Sequence, residues 1–198
     1  NEDKVYDRTG PLILLIGDSF THGSCVQQGD DAAGQLREFG LRAISMGMAG
    51  NGPLIELATL REYAHHLKPD VVLWMFTEKN DMGNLVAEYH SGYLKKYLQR
   101  SFTQKLITRQ PEINEFWKRR VEKRAIELES EERVQPQAKY ISYQVRRIFT
   151  LGAIRELLGW HGMQSNPPTE ELYGVLSEIL SQANDEVREW DGRMYFVF

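Results

Sequence analysis

The chain has 198 residues, of which 41% are hydrophobic and 26% charged, and it carries a formal net charge of −4. This length suits one domain with room for a large insertion, and the composition is typical of a globular protein. The acidic balance argues against general nucleic-acid binding, and the single cysteine, Cys25, excludes an internal disulfide. No apolar run in the sequence is long enough to cross a bilayer.

The first predicted element is a strand over Leu12–Ile16, an apolar run of the kind that forms buried parallel strands. It leads into Gly17-Asp18-Ser19-Phe20, which places a serine and a carboxylate at the carboxyl end of the strand. In open α/β sheets, ligands and chemistry collect at such strand ends. This turn is therefore the first candidate site.

Alternating helix and strand signals continue through the first half of the chain. The predicted elements are a helix from Asp30 or Asp31 to Phe39, a strand over residues 41–46, a glycine-rich turn over residues 47–52, a helix from Pro53 to about Leu67, and a strand over residues 71–76. Strands separated by helices at these spacings predict an α/β fold, a doubly wound parallel sheet with helices on both faces.

A charged segment separates this half from the last predicted strand. After a loop over residues 77–81 we expect a helix over about residues 84–98, and then charge-rich helices outside the sheet. A helix from Thr169 to about Trp190 and a strand over residues 193–198 follow. The prediction is one domain over residues 1–198, with a helical insertion over about residues 99–166.

Residues 139–160 of that insertion combine arginines with apolar side chains. They are expected to form an amphipathic helix packed on the domain. The alternative is a lid, or an element that contacts a membrane surface or another protein.

The two ends of the chain suggest trimming. It begins at Asn1 without an initiator Met and closes on Met194-Tyr195-Phe196-Val197-Phe198, which looks like a strand cut midway. We expect the C-terminal part of the domain to be missing. The compartment stays open: extracytoplasmic or membrane-associated if an N-terminal segment was removed, cytoplasmic otherwise.

Three strand ends carry polar or glycine-rich turns: Ser19, residues 47–52, and Asn80-Asp81. In a parallel sheet these turns lie on one edge. A serine nucleophile needs a base to take its proton, and the oxyanion that it creates needs preorganised donors. A backbone N–H in a glycine turn and an asparagine amide are suitable donors.

These residues resemble the SGNH (GDSL-type) hydrolases. Gly17-Asp18-Ser19-Phe20 is similar to their first block, with Phe20 in place of the usual Leu, and Ile44-Ser45-Met46-Gly47-Met48-Ala49-Gly50 and Asn80-Asp81 resemble the second and third blocks. The resemblance covers residues 12–85 well and residues 169–198 loosely. It implies a flavodoxin-like three-layer fold and a serine ester hydrolase or acyltransferase. It also implies a small-molecule, carbohydrate or lipid ester substrate and no metal or organic cofactor.

The resemblance also implies a role for each matching residue. Ser19 would be the nucleophile. The oxyanion would be held by the Ser19 N–H, by the Gly50 N–H, with Gly47 the weaker candidate, and by the Asn80 side chain. Asp18 is expected to hold the turn by hydrogen bonds, and Asp81 to support it.

Two departures from the family pattern bear on activity. Glu78-Lys79 precede Asn80 where the family usually has glycine, and the C-terminal Asp-x-x-His block, which supplies the general base and its orienting Asp, is not found in this chain. No other histidine has spacing that supports this role, whether His22, His65, His66, His90 or His161. We therefore predict that this chain by itself hydrolyses esters poorly or not at all.

Three alternatives remain at this point. Ser19 could simply cap the helix that follows it. The protein could be a catalytically inactive binding or scaffolding protein that uses its insertion. The third alternative is a flavodoxin-like nucleotide-binding protein. The lack of a Gly-x-x-x-x-Gly-Lys-Ser/Thr phosphate loop argues against it.

Overall fold

The computed structural model describes residue 5, residues 9–134 and residues 169–198. The chain divides into two units: Asn1–Ile107 together with Pro167–Phe198, and Thr108–Asn166. The predicted amphipathic segment over residues 139–160, and His161, lie outside the described residues.

The first unit contains a four-stranded sheet and the helices that cover it. Its strands are β1 (Leu12–Ile16), β2 (Arg42–Ser45), β3 (Val71–Met75) and β4 (Arg193–Val197). Its helices are α1 (Ser19–His22), α2 (Ala32–Glu38), α3 (Pro53–Thr59), α4 (His65–Leu67), α5 (Glu78–Tyr89) and, after the second unit, α7 (Glu170–Arg188), with a 3-10 turn at Leu94–Leu98. The second unit contains α6 (Gln110–Val134).

The strand order is β2-β1-β3-β4, and all pairs are parallel. At the centre, Leu14 pairs with Ile44 on one side and Val72 on the other. The chain leaves β1 toward one edge of the sheet and leaves β3 toward the other. The topological switch point, where such sheets bind ligands, therefore lies beyond the carboxyl ends of β1 and β3.

Both faces of the sheet are covered, which confirms the predicted doubly wound α/β fold. On one face, buried side chains such as Leu14, Val72 and Trp74 form the main core with apolar residues of α3, α5 and α7. On the other face, Leu15 and Ala43 pack against α2. Strand residues alternate between these two layers because successive side chains point to opposite faces.

The predicted helix after β2 is interrupted. Between α3 and α4 the chain forms a π-helical turn over Leu60–Ala64. Glu62, in this turn, is buried and accepts hydrogen bonds from the Tyr97 hydroxyl at 2.7 Å and the Leu106 N–H at 2.9 Å. Arg61 donates to the Tyr97 carbonyl at 2.9 Å and pairs with Glu186 of α7. The π turn thus holds residues 97–106 against the rest of the first unit.

The helix after β3 begins earlier than its sequence predicts. α5 starts at Glu78 rather than near residue 84 and ends at Tyr89, so Asn80 lies in its first turn and not in a loop. The Asp81 carboxylate accepts the Thr77 N–H at 2.6 Å, which satisfies a backbone donor at the helix start. A polar stretch that looks like a loop is therefore a capped helical turn.

In the second unit, α6 is mostly exposed as far as its side chains are described, that is, to residue 128. It carries ion pairs such as Arg119–Glu115 at 2.8 Å, and its exposed apolar residues include Phe116 and Trp117. None of the helices in the described ranges is long and apolar enough to cross a membrane.

Candidate active site

Ser19 is the first residue of α1, directly after β1. The preceding Asp18, only 2% exposed, is the N-cap, and its Oδ1 accepts the Phe20 N–H at 2.9 Å. The capping role that Ser19 could have played is therefore filled by Asp18. In the described part of the chain the Ser19 hydroxyl and N–H make no hydrogen bond, and the residue is half-buried.

Asn80 contacts this turn from α5, the helix that follows the neighbouring strand β3. Its Nδ2 donates to Asp18 Oδ2 at 3.0 Å. The bond joins the end of β1 to the helix that follows β3, across the topological switch point. An amide nitrogen has two N–H donors. Asp18 therefore holds the Asn80 side chain by one N–H and leaves the other available.

The glycine-rich loop after β2 is bound to the same edge. The Met46 N–H donates to the Leu15 carbonyl at 2.9 Å, and the Met48 N–H to the Gly17 carbonyl at 3.2 Å. The Asn51 N–H then closes a turn on the Met48 carbonyl at 3.1 Å. Gly50 lies in that turn with φ +87°, a left-handed conformation that favours glycine.

The two loop glycines differ in what they can donate. The Gly47 N–H bonds to Ser45 Oγ at 3.3 Å, and a Cβ at Gly47 would lie 2.6 Å from Thr21 Cβ. The Gly50 N–H has no acceptor among the described residues, and the space around its Cα is open. Gly47 therefore lets the loop approach α1 closely, and Gly50 has the uncommitted donor.

Three buried carboxyl groups lie behind this edge. Burial raises the pKa of Asp81 to about 6, with the Thr77 N–H opposing the shift and the charge of Asp18 adding to it. Burial also raises the pKa of Glu88 to about 7, against the N–H groups that it accepts. The pKa of Glu56 is raised well above its usual range, first by burial and then by the charges of Asp81, Glu88 and Asp18.

No histidine of the described residues is hydrogen-bonded to Ser19. His22 is exposed at the end of α1. His65 packs edge-on against Trp190 with ring centroids 5.5 Å apart, and His90 Nδ1 lies 2.6 Å from the Val86 carbonyl. His66 adjoins His65 on α4. In the same residues, no group of three or more His, Cys, Asp or Glu is arranged to hold a metal ion.

A cavity of about 530 Å³ lies between the end of α1, the start of α2 and the end of β2, and Ser19 itself does not line it. Its polar lining residues include His22, Gln27, Gln28, Asp31, Arg37 and Ser45. It shares His22 and Gly47 with the elements that surround the serine turn. The cavity offers amide, hydroxyl and charged groups to a polar ligand.

Fold and site together define an α/β protein with a serine, an asparagine amide and a glycine N–H on the carboxyl edge of its sheet.

No protein-family model matches the sequence, and a search of curated proteins gives no match. A mutant of the esterase AlinE4 is similar at 19% identity and a TM-score of 0.32, over 53% of this chain and 56% of that chain. A mutant of Axe2, an acetylxylan esterase from Geobacillus stearothermophilus, is similar at 23% identity and a TM-score of 0.30, over 52% of this chain and 56% of that one.

The chain thus spans about half the length of these two solved structures. At such TM-scores the likeness carries no weight for activity, and the site is interpreted from its own contacts.

Proposed function

We propose that the protein is a serine ester hydrolase or acyltransferase of SGNH type. Ser19 Oγ attacks the ester carbonyl, the ester C–O bond breaks, and the proton of the serine hydroxyl passes to the departing alcohol. Water or a second alcohol then takes the acyl group from the acyl-enzyme and returns a proton to Ser19. Both proton transfers need a general base, and none of the described histidines is hydrogen-bonded to Ser19. The observation that carries the proposal is the Asn80–Asp18 hydrogen bond of 3.0 Å. It holds an amide donor next to the serine, at the switch point where sheets of this class bind ligands.

The negative charge that develops in the transition state explains why the proposed mechanism needs hydrogen-bond donors. The carbonyl oxygen becomes an oxyanion, and preorganised donors stabilise it without reorganisation; losing one typically costs ~100- to 1000-fold in turnover. The candidates are the Ser19 N–H, the Gly50 N–H and the second N–H of Asn80. None of these three groups has an acceptor among the described residues.

The substrate is proposed to be a small polar ester. The cavity of about 530 Å³ at the end of α1, the helix that begins at Ser19, is lined by groups such as Gln27, Gln28 and Ser24 that can hydrogen-bond hydroxyls. An alcohol portion with several hydroxyl groups, as in a carbohydrate ester, suits this lining better than a long alkyl chain.

The test is an ester-hydrolysis assay of the full-length protein beside Ser19→Ala, with acetate esters of a simple sugar and of p-nitrophenol. We expect activity that Ser19→Ala lowers at least ~1000-fold, because the nucleophile is lost. Ser177→Ala is the matched control, since Ser177 is an exposed serine of α7 that does not line the cavity. Equal turnover by the wild-type protein and Ser19→Ala would refute the proposal.

A second candidate is a binding or scaffolding protein that uses its insertion. It is favoured by the exposed side chains of α6, including Phe116, Trp117 and Val121, beside a run of basic residues. Replacing residues 108–166 by a Gly/Ser linker tests it. This replacement spares residues 97–106, which belong to the first unit and are held there by Arg61 and Glu62. Loss of a partner with the sheet intact would support this function, and retained binding would reject it.

A further inference from the structure

We infer that Glu88 is a positioning residue for the Gly50 N–H, because its carboxylate clamps the turn that follows this donor. The clamp is a feature of the fold, and its effect on catalysis rests on the proposed function. Glu88 has no direct contact with Ser19 in the structure. It acts through the backbone of residues 51–54.

The clamp consists of two hydrogen bonds to one carboxylate. Glu88 Oε1 accepts the Gly52 N–H at 2.7 Å, and Oε2 accepts the Leu54 N–H at 2.9 Å. Neither N–H has an acceptor within α3, because both lie at the start of the helix. Gly52 is the N-cap and has no side chain that could accept them. A buried carboxylate from another helix supplies what the local sequence lacks.

Asn84 extends the clamp toward Gly50. Its Nδ2 donates to the Asn51 carbonyl at 2.8 Å, and the Asn51 N–H closes the turn that contains Gly50. The fit is tight: a Cβ at Gly52 would lie 2.6 Å from Asn84 Cβ and 2.9 Å from Glu88 Oε2. Helix α5 therefore lies directly against the loop and fixes its backbone.

The same helix carries the other proposed donor. Asn80, Asn84 and Glu88 follow one another at intervals of four residues, which places them on one stripe of α5. Asn80 bonds to Asp18, while Asn84 and Glu88 bond to the loop after β2. One rigid helix thus sets the spacing between an amide donor and the loop that contains Gly50.

The clamp depends on the protonation state of Glu88. An ionised carboxylate accepts both N–H groups, whereas a carboxylic acid has a hydroxyl hydrogen that cannot face a donor. Burial brings the pKa of Glu88 to about 7, and the charge of Asp81 on the same helix contributes. Glu56 of α3 interacts with the charge of Glu88, and the charge of Asp18 also acts on Glu56. The clamp is therefore complete above this pH and weakens below it.

Amide NMR of the full-length protein tests the clamp without any assay of activity. Across about pH 5 to pH 9, we expect the Gly50, Gly52 and Leu54 amide signals to titrate together with a midpoint near 7. Glu88→Gln should abolish this common titration, while Glu38→Gln, which removes an exposed carboxylate at the end of α2, should leave it. Titration of Gly52 and Leu54 without Gly50 would overturn the inference.

Asn84→Ala covers the case in which Glu88→Gln fails to fold. It keeps the carboxylate and removes only the bond to the Asn51 carbonyl. The Gly52 and Leu54 signals should then still titrate, and the response at Gly50 should be lost. An unchanged Gly50 response in this variant would contradict the proposed route.

Reaction of Ser19 with a p-nitrophenyl phosphonate, followed by nitrophenolate release and peptide mass, separates the two proposals. In Glu88→Gln and Asn84→Ala we expect labelling to slow by ~10-fold or more, since a displaced donor stabilises the oxyanion less well. Wild-type rates in both variants would overturn the positioning role. No labelling of the wild-type protein, with the amide titration intact, would refute the serine nucleophile and leave the clamp standing.

Discussion

The Asn80 side-chain amide donates to the carboxylate of Asp18 at 3.0 Å, and Asp18 also caps the helix that begins at Ser19. One buried carboxylate therefore connects the proposed nucleophile to a proposed oxyanion donor. An ionised acceptor makes this hydrogen bond stronger than a neutral one would.

Asp18→Asn should lower ester turnover of the full-length protein by ~10- to 100-fold. The new amide still caps α1 through its oxygen, but it then presents an N–H to Asn80, which is itself a donor. Asn80 loses its anchor while the fold persists. The measurement is kcat with a thermal melt alongside.

Asp70→Asn is the matched control for this change. Asp70 Oδ2 accepts the Leu12 N–H at 2.7 Å, at the amino end of the strands and so at the opposite edge from the site. It should alter stability but not kcat. A fall in kcat as large as that of Asp18→Asn would contradict the assigned role.

Gly50→Ala and Gly47→Ala should fail in different ways. Alanine at Gly50 meets open space, but it must adopt φ +87°, so we expect a loss of ~1 kcal/mol in stability and a larger effect on turnover. Alanine at Gly47 places its Cβ 2.6 Å from Thr21 Cβ and should be more destabilising. Urea melts and kcat of both variants measure this.

Gly83→Ala serves as the control in this series. Gly83 lies within α5, and a Cβ there has nothing within 4 Å. Alanine should therefore stabilise the protein by ~0.5–1 kcal/mol through helix propensity. Equal stability losses at residues 47, 50 and 83 would argue against the described loop geometry.

The stability of the protein should decline as the pH rises from about 4.5 toward 7. Glu88 has a folded-state pKa of about 7 against an ordinary value of 4.5, so the folded protein binds this proton more tightly than the unfolded chain does. The stabilisation from the proton is fully present below the unfolded pKa and is lost as the pH passes the folded one. The shift corresponds to about 3 kcal/mol.

Asp81, with a pKa of about 6, contributes in the same direction. Urea melts at a series of pH values would show the decline, and Glu88→Gln should make it shallower. Glu38→Gln should leave the slope unchanged. A wild-type protein whose free energy of unfolding rises steadily from pH 4.5 to 7 would be inconsistent with these buried acids.

Glu62→Gln should release residues 97–106 from the π turn over residues 60–64. The Glu62 carboxylate accepts the Tyr97 hydroxyl, the Thr103 hydroxyl and the Leu106 N–H at 2.7, 2.9 and 2.9 Å. An amide cannot accept all of these bonds, so buried donors are left unsatisfied, at ~1–3 kcal/mol each. Hydrogen exchange should become faster at residues 97–106 while the sheet stays protected.

The pH dependence of this contact has the opposite sign to that of Glu88. Burial acts to raise the pKa of Glu62, but its hydrogen bonds outweigh burial, and the pKa is lowered. The stabilisation is therefore present above the unfolded pKa and is lost as the pH falls through the folded one. Protection of residues 97–106 should decrease at acid pH in the wild-type protein.

The parallel sheet was predictable because the sequence of each strand is locally distinctive. Leu12–Ile16 and Val71–Met75 are continuous apolar runs; Gly17 follows the first directly, and Thr77 follows the second after one more apolar residue. The cap of α2 was predictable to within one residue, as Asp30 or Asp31, and the structure uses Asp31; a side chain that accepts the N–H three residues on is a local interaction. Such features need no knowledge of the rest of the chain.

The start of α5 and the π turn were not predictable in this way. Thr77-Glu78-Lys79-Asn80-Asp81 has the composition of a loop and becomes helical with Asp81 satisfying the Thr77 N–H. The π turn of residues 60–64 carries two charged side chains whose partners lie more than thirty residues away along the chain. Asn80, Asn84 and Glu88 have helical spacing in the sequence. They lie on one stripe only because α5 begins at residue 78, before Asn80.

The sequence by itself determined the α/β fold and the order of strand ends at which Ser19, Gly50 and Asn80 appear, because strand and turn formation depend on neighbouring residues. Only the tertiary structure decided that Asp18 caps α1 in place of Ser19, that it also holds Asn80, and that Glu88 clamps the loop after β2. Each of the two long-range contacts is a hydrogen bond to a buried carboxylate, between elements brought together by sheet topology. Buried donors and acceptors must find partners wherever the fold places them, and sequence distance does not reveal those partners.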